Sequence, residues 1–248
     1  MPDMPQKAPP AAPVAEQLSI TGDALFRLRS YMPIALVPLF VISVMDRREA
    51  TPFSWEVLCF GVSLGGLALR AYVVGTAPHG TSARGTRRPT ADSLSTRGAY
   101  SVVRHPLYLA NTLIALGCAL LSGTWYLPLI VALLSFVYHE RIAAREEAFL
   151  HATFGDSFRR WAHEVPAMVP AFGRYERAGI PFQARKTFMS EAHGLSAIGT
   201  AFLVLDTIED SMRMGSFHLD RRWLLLFVAT AVPLLVVIVL KRASRRMS

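Results

Sequence analysis

Residues 106–142 read PLYLANTLIALGCALLS, then Gly123, then TWYLPLIVALLSFVYHERI. Two apolar runs of roughly membrane length meet at one glycine, with no charge between them. A turn this short forces an antiparallel helical hairpin, and Pro106 suits the first turn of the leading helix. The two open ends of that hairpin must return to one face of the bilayer. The whole chain has 248 residues, 52% hydrophobic and 18% charged, with mean hydropathy +0.33. Soluble domains carry about 25% charged residues. The expected fold is all-α and integral to a membrane, which excludes an ordinary soluble enzyme.

Working outward, four more apolar segments accompany the hairpin (Pro106–Ser122 and Thr124–Ile142). They are Tyr31–Met45, with Pro33 and Pro38; Phe53–Thr76, where Gly61, Gly65 and Gly66 offer close helix approach; Ala192–Ile208; and Trp223–Leu240. This predicts about six transmembrane helices. Lys and Arg number 20 on one set of alternating loops and tails and 5 on the other, which places both termini in the cytoplasm. Arg70 falls inside a span, near its end, and is expected to snorkel to the cytoplasmic interface. Residues 142–161 carry Ile142, Phe149, Phe154, Phe158 and Trp161 among charges, the pattern of an interfacial amphipathic helix interrupted near Gly155. Four regions follow: a Pro/Ala-rich disordered arm (1–20), N-terminal helices (21–76), a loop-and-hairpin region (77–170) and a C-terminal extension with two spans (171–248).

The net charge of +8 comes with no aromatic-interleaved groove or zinc spacing, so it orients the chain in a bilayer and does not point to nucleic acid. Cys59 and Cys118 lie in apolar segments and read as small core hydrophobes. His79, His151, His163, His193 and His218 share no ligand spacing, and no metal is assigned. Arginine outnumbers lysine 23 to 3, as in GC-rich bacterial genes, so a bacterial inner membrane is the expected location.

Polar residues that membrane packing does not need concentrate in two stretches. One runs Leu94-Ser-Thr-Arg-Gly-Ala-Tyr-Ser-Val-Val-Arg-His-Pro-Leu-Tyr108 and enters a helix at Arg104-His105-Pro106, where free backbone N–H groups can receive an anion. The other, Tyr138-His-Glu-Arg-Ile-Ala-Ala-Arg-Glu-Glu147, ends the fourth span. The hairpin brings both to one membrane face. Together they offer aromatic faces, a carboxylate pair (Glu146, Glu147) and arginines (Arg104, Arg141, Arg145), a set suited to a cationic cofactor with an adenine, a ribose and an amino acid. The plainer alternatives are a helix cap with a snorkelling arginine at R-H-P, and surface pairing of Arg141 with the two glutamates. His139 and Glu140 read as interfacial. Asn111, one turn into the third span, is either helix glue or pocket lining.

The first stretch, L-x-T-x-G-x-Y-x-x-x-R-H-P-x-Y, resembles the signature of the isoprenylcysteine carboxyl methyltransferase family and, more distantly, of phospholipid methyltransferases. About forty residues on, Arg141-Ile142, Glu146-Glu147, Leu150, Phe154-Gly155, Phe158, Trp161, Val165-Pro166 and Pro170 follow that family's second block in order. The resemblance covers roughly 94–170. It implies S-adenosylmethionine bound on the cytoplasmic side by Leu94, Ser95, Tyr100, His105, Pro106, Leu107, Tyr108, Glu146 and Glu147, beneath a lipid or lipid-linked substrate. It also implies an arginine holding the acceptor's anionic group, Arg141 first and Arg145 second, with Arg104 nearby. One residue more than in the family pattern separates Arg141 from the acidic pair, a rotation of about a third of a turn. Phe158 and Trp161 stand where tyrosines are usual, and Ala110 and Asn111 where glycine is common.

Methyl transfer from a sulfonium needs alignment and exclusion of water. An anionic oxygen needs no base, so the reading favours O-methylation of a carboxylate or phosphate. An amine acceptor would need Glu140, Glu147 or His139 as base. The alternatives are phospholipid amine N-methylation, a membrane NADPH-dependent reductase of related fold, and a non-enzymatic membrane protein keeping the fold.

Overall fold

The computed structural model describes residues 32–45, 51–78 and 93–246. The arm at 1–20, His79 and much of the 77–105 loop lie outside these. The described residues form seven α-helices: α1 (Met32–Val44), α2 (Phe53–Thr76), α3 (Pro106–Leu120), α4 (Tyr126–Phe154), α5 (Asp156–Glu164), α6 (Ala184–Met214) and α7 (Arg221–Arg246). Among the described residues there is no strand, only one isolated antiparallel bridge between Gly98 and Glu176. The protein is an all-α integral membrane fold. Four helices, α2, α4, α6 and α7, are long and apolar enough to cross a membrane. The sequence predicts six spans. The two others are the 15-residue α3, about 22 Å long, and the 13 residues of α1, both shorter than the roughly 30 Å hydrocarbon core.

The hairpin is present. α3 and α4 are antiparallel neighbours joined at 121–125, where Gly123 takes φ 62°. α2 packs along α3 so closely that a Cβ on Gly66 would meet the Ala110 carbonyl oxygen at 2.6 Å and one on Gly117 would meet the Cys59 carbonyl oxygen at 2.5 Å. Gly61 and Gly65, expected to do the same, have nothing within 4 Å. Ser63 Oγ donates to the Ile114 carbonyl (2.9 Å) and Trp55 Nε1 to the Leu120 carbonyl (2.9 Å). The second bond satisfies an orphan acceptor at the end of α3. α6 and α7 close the bundle through Phe60, Phe202 and Trp223, whose ring centroids lie 5.2–5.7 Å apart. Cys59 is buried here and Cys118 half-buried, both as free thiols.

α4 does not end at Ile142 as the sequence reading has it. Ala143, Ala144, Ala148 and Ala152 are strong helix formers, and nothing breaks the helix before Gly155 (φ 54°, ψ −124°), a conformation reserved for glycine. A helix of 29 residues is about 44 Å long, so its final turns stand clear of the hydrocarbon and carry Glu146 and Glu147. The amphipathic element is thus the end of α4 plus α5, which buries Phe158 and Trp161 and exposes Arg159 and Arg160. At the opposite end of the bundle, Glu56, Asp206 and Glu209 are buried, polar content within the spans beyond what the sequence suggests. Trp223 Nε1 donates to Glu56 (3.0 Å) and Thr51 Oγ1 to Glu209 (3.1 Å).

Candidate active site

Glu147 gathers the first block onto the second. Its Oε1 lies 2.8 Å from His105 Nε2 and its Oε2 accepts from Arg104 Nη1 at 3.1 Å. Both oxygens are therefore committed, and His105, the N-cap residue of α3, is buried and fixed against α4. Glu146 is a residue further round the helix. Its Oε2 lies 3.8 Å from His105 Nδ1, too far for a hydrogen bond, which leaves this carboxylate available to a cation. Pro106 fills the first helical position and is fully buried.

The loop ahead of α3 is held from below. Leu94 and Tyr100 pack on Phe158, Trp161 and Val165, and Trp161 Nε1 donates to the Tyr100 carbonyl (3.1 Å). The aromatic rings at 158 and 161 keep the platform role, and the indole supplies a donor. Burial and the neighbouring Glu146 carboxylate push the Tyr100 phenol above its ordinary range, so it stays a neutral hydroxyl. A strap that the sequence does not announce covers the loop. Arg104 N donates to the Pro166 carbonyl (2.9 Å), Ala171 N to Val102 (2.9 Å) and Gly98 N to Glu176 (3.0 Å), while Glu176 N donates to Ser101 Oγ (2.8 Å). Two buried polar atoms in this loop, Ser95 Oγ and Arg104 Nε, have no partner among the described residues. Buried polar groups in proteins are ordinarily paired. With the uncommitted Glu146, they fit a ligand carrying both an ammonium and hydrogen-bonding oxygens.

Tyr108 is the boundary between this polar site and an apolar cavity. Its ring stacks on His105 (centroids 5.3 Å) and on the other side on His139 (4.8 Å). Beyond it lies a cavity of about 530 Å³, within the ~300–1,000 Å³ range of small-molecule sites. Aliphatic side chains of α1, α3, α4 and α6 line most of it, and Tyr108, Asn111, His139 and Arg70 stand at its polar end. His139 is buried within the protein, only 7% exposed. Thr112 Oγ1 donates to the Tyr108 carbonyl (3.0 Å), so its contact with His139 Nδ1 (3.2 Å) requires the imidazole to donate there. Arg70 does not extend towards an interface. It turns inward, where its Nε donates to Glu191 (2.9 Å) and its Nη1 to Asn111 Oδ1. Asn111 is therefore both helix glue and pocket lining.

Of the residues singled out in the sequence, Arg104, His105, Tyr108, Glu146 and Glu147 converge, and Leu94, Ser95 and Tyr100 form the loop beside them. Leu107 is half-buried on the first turn of α3. Arg141 and Arg145 are half-buried on α4 and line no part of the cavity. The residues the sequence reading misses are Arg70 in this role and Glu191, which are 121 positions apart.

Residues 79–157 match the family model for phospholipid methyltransferase. A 77-residue stretch is 35% identical to the protein-S-isoprenylcysteine O-methyltransferase of Schizosaccharomyces pombe, covering 31% of this chain and 33% of that protein. An 84-residue stretch is 31% identical to the cobalt-zinc-cadmium resistance protein CzcN of Cupriavidus metallidurans, covering 34% of this chain and 38% of that protein. The chain thus spans about a third of the length of the curated relatives it matches. No solved structure matches it. With the two sequence blocks folded into one site, the region from the loop to the end of α4 is the part of the chain that is similar to these membrane methyltransferases.

Proposed function

We propose that the chain moves a methyl group from S-adenosylmethionine to a carboxylate or phosphate oxygen of a lipid or lipid-linked acceptor, at the cytoplasmic face of a bacterial inner membrane. The observation that carries this reading is the pairing across Tyr108. On one side stands a polar site with an uncommitted carboxylate and two orphaned buried donors, and on the other an apolar cavity open to a hydrocarbon chain. S-adenosylmethionine, when bound, supplies a sulfonium methyl that passes to the acceptor oxygen as the carbon–sulfur bond breaks, with no proton released.

The chain's own residues hold and align. Glu146 takes the ammonium, Ser95 Oγ and Arg104 Nε donate to oxygens, and Leu94 and Tyr100 offer apolar surface to the adenine. The Glu147 bridge keeps His105 and Arg104 in place before any ligand arrives, so little ordering remains to be done on binding. Tyr108, His139 and Ile142 wall the junction and keep water from it. Because an oxygen anion is already nucleophilic, no general base is needed. Twenty lysines and arginines on one set of loops support the cytoplasmic placement.

Calorimetric titration of S-adenosylmethionine and S-adenosylhomocysteine into detergent-purified protein tests the reading, with Glu146→Gln beside it. Binding that weakens at least about tenfold in the variant, the loss of one charge-assisted contact, is the expected result. Absence of binding to folded wild-type protein sinks it.

A further inference from the structure

Arg70 lies on α2 and Glu191 on α6, both outside the segment shared with the methyltransferase family. They nevertheless meet at the polar end of the cavity. Glu191 accepts from Arg70 Nε through Oε2 (2.9 Å), and Ser190 Oγ donates to its Oε1 (3.0 Å). Asn111 Oδ1 accepts from Arg70 Nη1. The guanidinium is thereby held in one orientation on the cavity wall. An arginine has five N–H donors, and two of Arg70's are engaged, so three have no partner among the described residues. Asn111 also lines the cavity. Since its carbonyl is taken by Arg70, its amide NH₂ is the part left to a ligand. The head of the cavity therefore offers donors and a fixed positive charge. Its complement is a group with lone pairs and no hydrogens.

We infer that Arg70 and Asn111 form the head-group clamp for the acceptor: they bind the carboxylate or phosphate of an aliphatic amphiphile whose chain fills the cavity, with Glu191 positioning the guanidinium. The inference rests on the proposed reaction for its role but concerns acceptor binding alone, which can be measured without the methyl donor. It moves the acceptor arginine away from Arg141 and Arg145, which do not reach the cavity. It also makes α6 part of the site: Gly194, Ala197, Ile198 and Ala201 of that helix face the chain.

The pair has opposite signs towards an anion, and this separates a clamp from a merely structural ion pair. Arg70→Gln removes attraction, whereas Glu191→Gln removes a neighbouring negative charge and leaves Arg70 in place. The test uses purified full-length protein, the fluorescent fatty acid cis-parinaric acid as probe, and oleate, oleyl phosphate, oleyl alcohol and oleylamine as competitors. Oleate and oleyl phosphate should displace the probe at concentrations about tenfold or more below those of the alcohol and the amine, as expected for a charge-assisted bond. Arg70→Gln should abolish that preference, Arg70→Lys should retain part of it, and Glu191→Gln should keep or sharpen it. S-adenosylhomocysteine affinity should stay unchanged in all three. Oleyl alcohol or oleylamine competing as well as oleate overturns the clamp, as does equal loss in Arg70→Gln and Glu191→Gln. A preference for oleate over oleyl phosphate, or the reverse, names the head group. Failure of S-adenosylhomocysteine to bind would sink the proposed reaction and leave the clamp result standing.

Discussion

Glu146 and Glu147 are adjacent in sequence and differ in what they are free to do. Glu147 has both oxygens engaged, by His105 and by Arg104, so it is a positioning residue. Glu147→Gln converts one charge-assisted bond into a neutral one and leaves Arg104 without its counter-ion inside a half-buried site, a loss of about 1–3 kcal/mol. The variant should therefore unfold at lower temperature and bind S-adenosylhomocysteine more weakly, because the loop and α3 are no longer tied to α4. Glu146→Gln should lose affinity while its Tm stays at the wild-type value. Thermal unfolding in detergent read beside calorimetry separates the two, and equal Tm values would refute the division of roles. The same scale shows why some of the site could be read from sequence and some could not. R-H-P and E-E sit on motifs whose residue types are wasted in a membrane core, so they draw attention by themselves. Arg70 is a lone cation in an apolar run, and locally such a residue is indistinguishable from one that snorkels. Only Glu191, far away in the chain, turns it inward.

Helix existence follows from apolar runs and from the charge-free turn at Gly123, and the expected hairpin is the one that forms. Helix ends do not follow from hydropathy, because hydropathy marks where lipid stops and not where hydrogen bonding stops. α4 continues to Phe154 since its exposed turns are rich in alanine and the first breaker is Gly155. Close packing is similarly opaque. Gly61, Gly65 and Gly66 look alike in sequence, yet of the three only Gly66 lies against α3, at Ala110 and Ile114, and the second close approach is made from α3 by Gly117. A Cβ at Gly117 would lie 2.1 Å from Ser63 Oγ and 2.5 Å from the Cys59 carbonyl oxygen. The serine hydroxyl can rotate, but the backbone of α2 cannot retreat without opening the bundle. Gly117→Ala should cost about 1–3 kcal/mol, the usual range for overpacking, seen as a lower Tm. Gly61→Ala should be neutral or slightly stabilising, since helix propensity favours alanine and the added methyl meets nothing within 4 Å. A Gly117→Ala protein as stable as wild type would mean that α2 and α3 do not pack as closely as described.

At the scale of the molecule, the family segment and the remainder divide the work unevenly. The first and fourth helices of the cavity wall bracket the family segment, and α6, with α7 behind it, closes the side that the segment leaves open. The matched segment carries the polar site and one wall of the cavity, and helices outside it supply the other wall, so on the proposed reading the length of acceptor chain depends on both. Ala201 lies on α6 about two turns beyond Gly194, deeper in the cavity and away from Arg70. Ala201→Phe should fill part of the 530 Å³ without touching the head-group residues or the loop. Long-chain acids should then bind more weakly while octanoate binds as before, and S-adenosylhomocysteine affinity should not move. The measurement is displacement of cis-parinaric acid by a series of fatty acids of increasing length, in wild type and variant. Equal weakening across the whole series would mean that the substitution has distorted the bundle. A preference shifted towards short chains would show that α6, outside the matched segment, sets how long a chain the protein accepts.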